Sequence, residues 1–227
     1  MNNTAILIPA RYGSTRFPGK PLAALDNIPM IRRVYERCRK TGYDVYVLTD
    51  DQRIFNLFNA GNCWIDQTDY ANGTERCAGA IQNDFFNKYT HFINVQGDMP
   101  DITARIIETV AYGLKYADVT TVHTDMAPEL KSDPNTVKMI LGKNQALWFG
   151  RGFTYGEHHL GVYGYSRDAL ERYPTLSITA EESIEQLEQL RWLKNGCSIG
   201  THPVYFNGIE INSPEDVDVW HKKKSSL

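Results

Sequence analysis

Cysteine is scarce and scattered, with four in 227 residues at Cys38, Cys63, Cys77 and Cys197 and no C-x-x-C pair. That spacing excludes a disulfide framework and a zinc ribbon. The expectation is buried free thiols in a reducing compartment, with Cys38 and Cys77 inside helix-like apolar patterns. Long hydrophobic runs are missing too. No stretch approaches the roughly 20 apolar residues of a membrane-spanning helix. The opening "MNNTAILIPA" has no basic n-region, so it is not a signal peptide, and the expected location is the cytoplasm, with no membrane partner. Basic excess is absent: 24 Lys and Arg stand against 27 Asp and Glu, a net charge of -3. A general nucleic-acid binder would show the opposite balance. The closing "KKKSSL" reads as a solvated helix end. There is no internal repeat, no low-complexity segment and no Pro/Gly/Ser-rich linker, which points to one domain. Neither G-x-G-x-x-G nor a complete P-loop occurs. The only Asp-x-Asp, at Asp216 and Asp218, falls in an expected C-terminal helix, which disfavours a retaining glycosyltransferase.

What is present begins with alternation of strand and helix patterns. "TAILIP" suits a strand buried on both faces, and "PMIRRVYERCRKTG" spaces Met30, Ile31, Val34, Tyr35 and Cys38 as one helix face, with Gly42 as a stop. "DVYVLTD", "CWI", "HFINVQGD" and "DVTTVH" read as further strands. "QRIFNLFNAG", "GTERCAGAIQ" and "TARIIETVAYGLKYA" read as further helices. Repeated β-α-β units predict a mostly parallel sheet with helices on both faces. The pattern breaks after about Asp125. "VKMIL" and "ALWF" flank "GKNQ" as a hairpin, "HHLGVYGY" is a strand, and "EESIEQLEQLRWLKNG" reads as one amphipathic helix ending at Gly196. Ser213 and Pro214 are placed to start a last helix, as N-cap and first-turn residue. The simplest organisation is a single α/β domain over 1–227 with a mixed β insertion at 126–165.

Open parallel sheets bind ligands at the carboxyl ends of their strands, and polar clusters fall at such ends. The loop "RYGSTRFPGKPL" follows the first strand. Gly13 and Gly19 permit close backbone approach, Arg11 and Arg16 are forked donors, and Lys20 is a point charge, a combination suited to phosphate. "NVQGDMP" sets Asp98 after a strand, where a carboxylate can hold Mg²⁺ with phosphate oxygens, and Gln96 beside it. "NGTER" offers a helix start with free N–H groups and Arg76. Together these describe a site for a nucleoside triphosphate and a metal ion.

The same residues carry a family likeness. "IPARYGSTRFPGKPL", "GTER", "VQGDMP", "DPNTVK", "HLGVYGY", "LEQLR" and "SPED" occur in order across nearly the whole chain. The chain therefore resembles the 3-deoxy-D-manno-octulosonate (Kdo) cytidylyltransferases, the CMP-Kdo synthetases. The resemblance implies a Rossmann-like, mostly parallel sheet of the nucleotide-diphospho-sugar transferase type, with a mixed insertion used for homodimerisation. It implies that CTP and a 2-keto sugar acid give CMP-sugar and pyrophosphate, with Mg²⁺. By motif match, Arg11, Ser14, Arg16 and Lys20 hold the phosphates, with Arg11, Lys20 and Asp98 catalytic. Arg76 and Gln96 contact the cytidine, and Asp98 holds the metal. Arg151, His159, Tyr163, Glu188 and Gln189 meet the sugar acid. His158 and His159 point to opposite faces of a strand, so one alone enters a pocket, and the motif selects His159.

The chain departs from that pattern at two places. The family's G-V-D-T-P-E-D supplies a second metal carboxylate, and here "EINSPED" puts Asn212 in that position. Glu210, two residues earlier, would share its face if the segment were extended. The family's F-S-R-A-x-I-P becomes "FGRGF", with Gly150 for Ser and a shortened loop, so the accepted sugar acid differs by expectation, an amino-substituted or shorter relative being one form. Two rivals stand beside this reading. One is a nucleotidyltransferase for a sialic-type acid or a sugar phosphate; Tyr12 and "RFPGKPL" favour the Kdo type over the sialic type. The other is a non-catalytic nucleotide-sugar binding homologue, motivated by Asn212.

Overall fold

The first apolar run becomes β1 (Thr4–Ala10), buried on both faces as a strand with neighbours on each side must be. The computed structural model describes residues 3–13 and 17–225. Ser14 and Arg16 lie outside the described residues. Beyond the loop, β2 (Ala24–Leu25) and β3 (Ile28–Pro29) form a hairpin whose turn residues Asp26 and Asn27 both take positive φ. That conformation is the one Asx residues tolerate best among side-chain-bearing residues. Helix α1 (Met30–Arg39) follows with the expected buried face, and Gly42 takes φ +77 in the turn after it.

The β-α alternation continues through β4 (Asp44–Thr49), α2 (Gln52–Phe55), β5 (Cys63–Ile65), α3 (Gly73–Ala80), β6 (His91–Val95), α4 (Ala104–Gly113) and β7 (Val119–Thr124). A hairpin of β8 (Lys138–Leu141) and β9 (Ala146–Gly150) leads to the long β10 (Glu157–Ser166) and α5 (Arg167–Arg172). The chain closes with α6 (Ala180–Glu185), α7 (Leu190–Lys194), β11 (Gly200–Pro203) and α8 (Pro214–Ser225).

The main sheet has nine strands, and its continuous path runs β11-β7-β10-β6-β1-β4-β5. Pairs β11–β7, β6–β1, β1–β4 and β4–β5 are parallel. β10 is antiparallel to both neighbours, and β8 pairs with its start. The expected mostly parallel sheet with a mixed addition is therefore present, and the addition runs into the middle of the sheet. Apolar clusters cover the two faces, one around Tyr89, Phe86 and Trp192, the other around Ile31, Ile93 and Ile107. Among the described residues, no helix is long and apolar enough to cross a membrane.

Local expectations failed in several places, each for a physical reason. The second helix is a single turn, with Asn56 at its C-cap and looser turns carrying the chain to Phe58. β11 has no strand signature, since Gly200 and Pro203 bound it. It exists because it pairs with β7 at the sheet edge, where a terminal Pro is tolerated. The expected single helix over "EESIEQLEQLRWLKNG" is broken into α6 and α7. Gln186 takes φ 54 and ψ 46, a left-handed conformation costing about 1–2 kcal/mol for a residue with a Cβ. Burial of Leu187 and Leu190 and the inward turn of Glu188 offset that cost.

Candidate active site

The carboxyl ends of β1 and β6 and the start of α3 open onto one cleft of about 960 Å³. Arg11 and Lys20 line it from the first loop, Gln96 and Asp98 from the end of β6, and Arg76 from α3. Lys20 Nζ stands 2.7 Å from Asp98 Oδ2, so residues 78 positions apart share one point of the cleft. Close backbone approach is built in at Gly73, where a Cβ would sit 3.2 Å from Pro9 and 3.6 Å from the Gln96 amide.

The opposite wall comes from β10 and the break between α6 and α7. His159, Gly161 and Tyr163 alternate onto the cleft face, while His158 does not line it. Thr121 Oγ1 lies 2.8 Å from the Val162 carbonyl and 3.0 Å from His159 Nε2. The hydroxyl has one proton, which goes to the carbonyl, so His159 donates from Nε2 and keeps its lone pair on Nδ1. Burial pushes the imidazole down to about 3, so His159 acts as a neutral hydrogen-bonding group.

Glu188 and Gln189 sit in the helix break and line the cleft, brought there by the break rather than by a continuous helix face. The Glu188 carboxylate accepts from Thr74 Oγ1 at 2.8 Å and from the Thr74 N–H at 3.5 Å, at the start of α3. Burial raises its proton affinity above the usual carboxylate range. Tyr173 donates to the Glu188 carbonyl at 3.0 Å, fixing the backbone there. Arg191 was legible only as part of "LEQLR", yet it ties the break together. It binds both Glu182 oxygens, reaches Glu75 Oε1 at 2.8 Å and lies over the Tyr173 ring at 4.4 Å. No spacing rule in the sequence announces this clamp.

Arg151 lines the cleft as well. Its guanidinium donates to the Asn135 carbonyl at 2.6 Å, and its N–H donates to Glu185 at 3.1 Å. Buried Lys138 donates to its carbonyl at 3.0 Å. The "DPNTVK" turn thus serves as the mount for Arg151. Gly150, where Ser was expected, is explained by packing: a Cβ there would lie 2.7 Å from the Phe153 ring.

Of the two candidates in "EINSPED", Glu210 lines the cleft and Asn212 does not. The segment is irregular rather than extended, so the expected strand geometry is absent. Glu210 instead arrives because the Ile211 N–H donates to the Asp98 carbonyl at 2.9 Å. Asn212 and Ser213 give their N–H groups to Asp216, capping α8. Burial, then the charge of Asp98, pushes the Glu210 carboxyl up to about 8. Its Oε1 is buried without a hydrogen-bond partner among the described residues. Those residues hold no cluster of three or more His, Cys, Asp or Glu suited to a metal ion.

A mostly parallel α/β sheet whose strand ends gather a cationic loop, a carboxylate pair and a polar pocket defines a nucleotide-sugar-forming class of transferase. Comparison with known proteins agrees. The cytidylyltransferase family model matches residues 5–199, and the chain belongs to that family. An 8-amino-3,8-dideoxy-manno-octulosonate cytidylyltransferase of Shewanella halifaxensis is 37% identical, covering 96% of both chains. A 3-deoxy-manno-octulosonate cytidylyltransferase of Parabacteroides distasonis is 37% identical, covering 93% of this chain and 94% of that protein. Among solved structures, a CMP:2-keto-3-deoxy-manno-octonic acid synthetase complexed with CTP matches with TM-score 0.87 and 32% identity over 99% of both chains. HddC from Yersinia pseudotuberculosis, at 15% identity and TM-score 0.72, shares the fold, covering 97% of this chain and 99% of that one.

Proposed function

We propose that this cytidylyltransferase joins CMP from CTP to the anomeric hydroxyl of a Kdo-like 2-keto sugar acid and releases pyrophosphate. One observation carries the reading: Lys20 and Asp98 meet at 2.7 Å in a cleft whose far wall holds His159, Tyr163 and Glu188. The hydroxyl oxygen bonds to the α-phosphorus as the bond to the bridging oxygen breaks, and the hydroxyl proton passes to water. Such a transfer asks for positioning and charge neutralisation more than covalent chemistry. Arg11 and Lys20 take the phosphates, together with Ser14 and Arg16 of the same loop, and Lys20 stabilises the departing pyrophosphate. Arg76 and Gln96 hold the cytidine. Arg151 faces the sugar carboxylate, and His159, Tyr163, Glu188 and Gln189 hold its hydroxyls.

Asp98 and Glu210 are the groups that would hold Mg²⁺. The ion takes one or two carboxylates, phosphate oxygens and water, which fits one carboxylate and a second with an unpartnered buried oxygen. When bound, it neutralises charge on the phosphates. Glu210 answers the loss of the family carboxylate at Asn212, which favours an enzyme over a non-catalytic binder. The single-domain reading belongs to this proposal, with residues 126–165 as sugar-side and dimer segment. So does a homodimer: Leu147 and Tyr155, next to and within the shortened loop, are exposed apolar side chains. We place the protein in the cytoplasm, where its free thiols stay reduced.

An 8-amino sugar acid is the second reading, favoured by Glu185 lining the cleft beside Arg151, where an ammonium would find a carboxylate. The test measures pyrophosphate release with each nucleoside triphosphate, Mg²⁺, and Kdo or its 8-amino relative. Release with CTP and either sugar acid is expected, the faster one naming the substrate. No release with any pair would overturn the enzymatic reading.

A further inference from the structure

Asp50 follows β4 immediately and does not line the cleft, yet both of its carboxylate oxygens serve residues that do or that build its wall. Oδ1 accepts the Tyr12 N–H at 3.1 Å, and Oδ2 accepts Arg76 Nη2 at 3.3 Å. Its carbonyl accepts Gln67 Nε2 at 2.6 Å, which fixes the strand end.

Tyr12 is the base of the cationic loop. The Gly19 N–H closes that loop onto the Tyr12 carbonyl at 3.0 Å. Arg53, itself bound to Asp51 at 2.6 Å, lies 3.5 Å over the Tyr12 ring. Gly19 takes φ +72, which favours glycine, and a Cβ there would crowd the same ring at 3.1 Å. Arg76 is buried, with its second fork arm on the Asp66 carbonyl at 3.2 Å and the Tyr70 ring 5.2 Å away.

We propose that Asp50 is a positioning residue of the nucleotide subsite, setting the phosphate loop and the Arg76 guanidinium at one fixed separation through a single carboxylate. This inference rests on the assignment of the loop and Arg76 to CTP. A carboxylate accepts at both oxygens, whereas an amide accepts at one and presents a donor at the other. An Asn at this position would keep either Tyr12 or Arg76, never both.

The test titrates CTP with Mg²⁺ into the full chain by calorimetry and follows steady-state kinetics. Asp50→Ala is expected to raise the CTP Kd about tenfold, the size of a lost charge-assisted hydrogen bond. Its KM for CTP should rise in parallel, while KM for the sugar acid at saturating CTP stays unchanged. Asp50→Asn should fall between wild type and Ala, and it carries the test alone if the Ala variant does not fold. The double variant Asp50→Ala/Arg76→Ala should lose less than the product of the single losses, because the Arg76 half of the Asp50 effect vanishes with the guanidinium. An unchanged CTP Kd in the Asp50 variants, or a fully multiplicative double variant, overturns the inference. Lys20→Ala and Arg76→Ala separate the two levels. If neither weakens CTP binding, the nucleotide assignment itself fails. If they weaken it and Asp50→Ala does not, only the positioning role does.

Discussion

Lys20 carries a single charge to Asp98 on a short helical turn at Lys20–Leu22, and the proposed reaction leans on it most. Lys20→Ala should cut kcat/KM by about 10²–10³-fold, the usual loss when one preorganised partner of developing charge is removed. Pyrophosphate release checks it, with an unchanged circular dichroism spectrum as control. His159 yields a stability prediction. Its imidazole is held down to about 3, below its ordinary value, so between those pH values the unfolded chain binds the proton that the fold refuses. The stabilisation is complete above the unfolded pKa and is lost as pH falls toward 3. Buried His158 and His123 shift the same way. Replacing His159 by Asn should flatten urea-derived stability against pH, by up to about 1.4 kcal/mol per pH unit; a slope equal to wild type would contradict the burial argument. At this scale the sequence was informative where residues sit in linear motifs. Arg76, Gln96, Asp98 and His159 were read from such motifs, and the fold brings all four to one cleft. Asp50 and the Arg191 clamp were not, because their partners lie far away in sequence and only the fold brings them near.

The break between α6 and α7 is the element that shapes one wall of the cleft. Each residue from Glu181 to Lys194 suits a helix by propensity, so periodicity alone predicts one rod. Tertiary contacts decide otherwise: Glu188 turns to Thr74, and Arg191 turns to Glu182 and Glu75. The left-handed residue at the break is Gln186, not the glycine such a position favours. Gln186→Gly should therefore stabilise the fold by about 1 kcal/mol in urea denaturation, less the loss of its side-chain bond to Ser183. A destabilised variant would mean that the side chain, not the backbone, holds the break. The β-α units, by contrast, were legible almost throughout, since parallel strands buried on both faces leave continuous apolar runs and the helices between them leave one apolar stripe.

Across the whole molecule, the last helix packs behind the segment that carries Glu210. Trp220 of α8 is buried against Leu25, Met30 and Ile211, and its indole N–H donates to Asp101 at 3.1 Å. Lys224 reaches the same carboxylate at 2.9 Å. These contacts hold the irregular segment that presents Glu210. Trp220→Ala should cost about 3–5 kcal/mol of stability. It should also weaken Mg²⁺ binding during turnover, read as a raised half-saturating Mg²⁺ concentration. Strand order belongs to this scale too. The sequence showed a break in the β-α pattern after about Asp125 but not that β10 lies antiparallel at the sheet's centre, because pairing partners are set by packing rather than by local pattern. A crystal structure with CTP and Mg²⁺ should place the phosphates between Arg11, Lys20 and the Asp98–Glu210 pair, with the cytidine against Arg76. CTP bound outside this cleft, or with phosphates touching neither Lys20 nor a metal on Asp98, would contradict it.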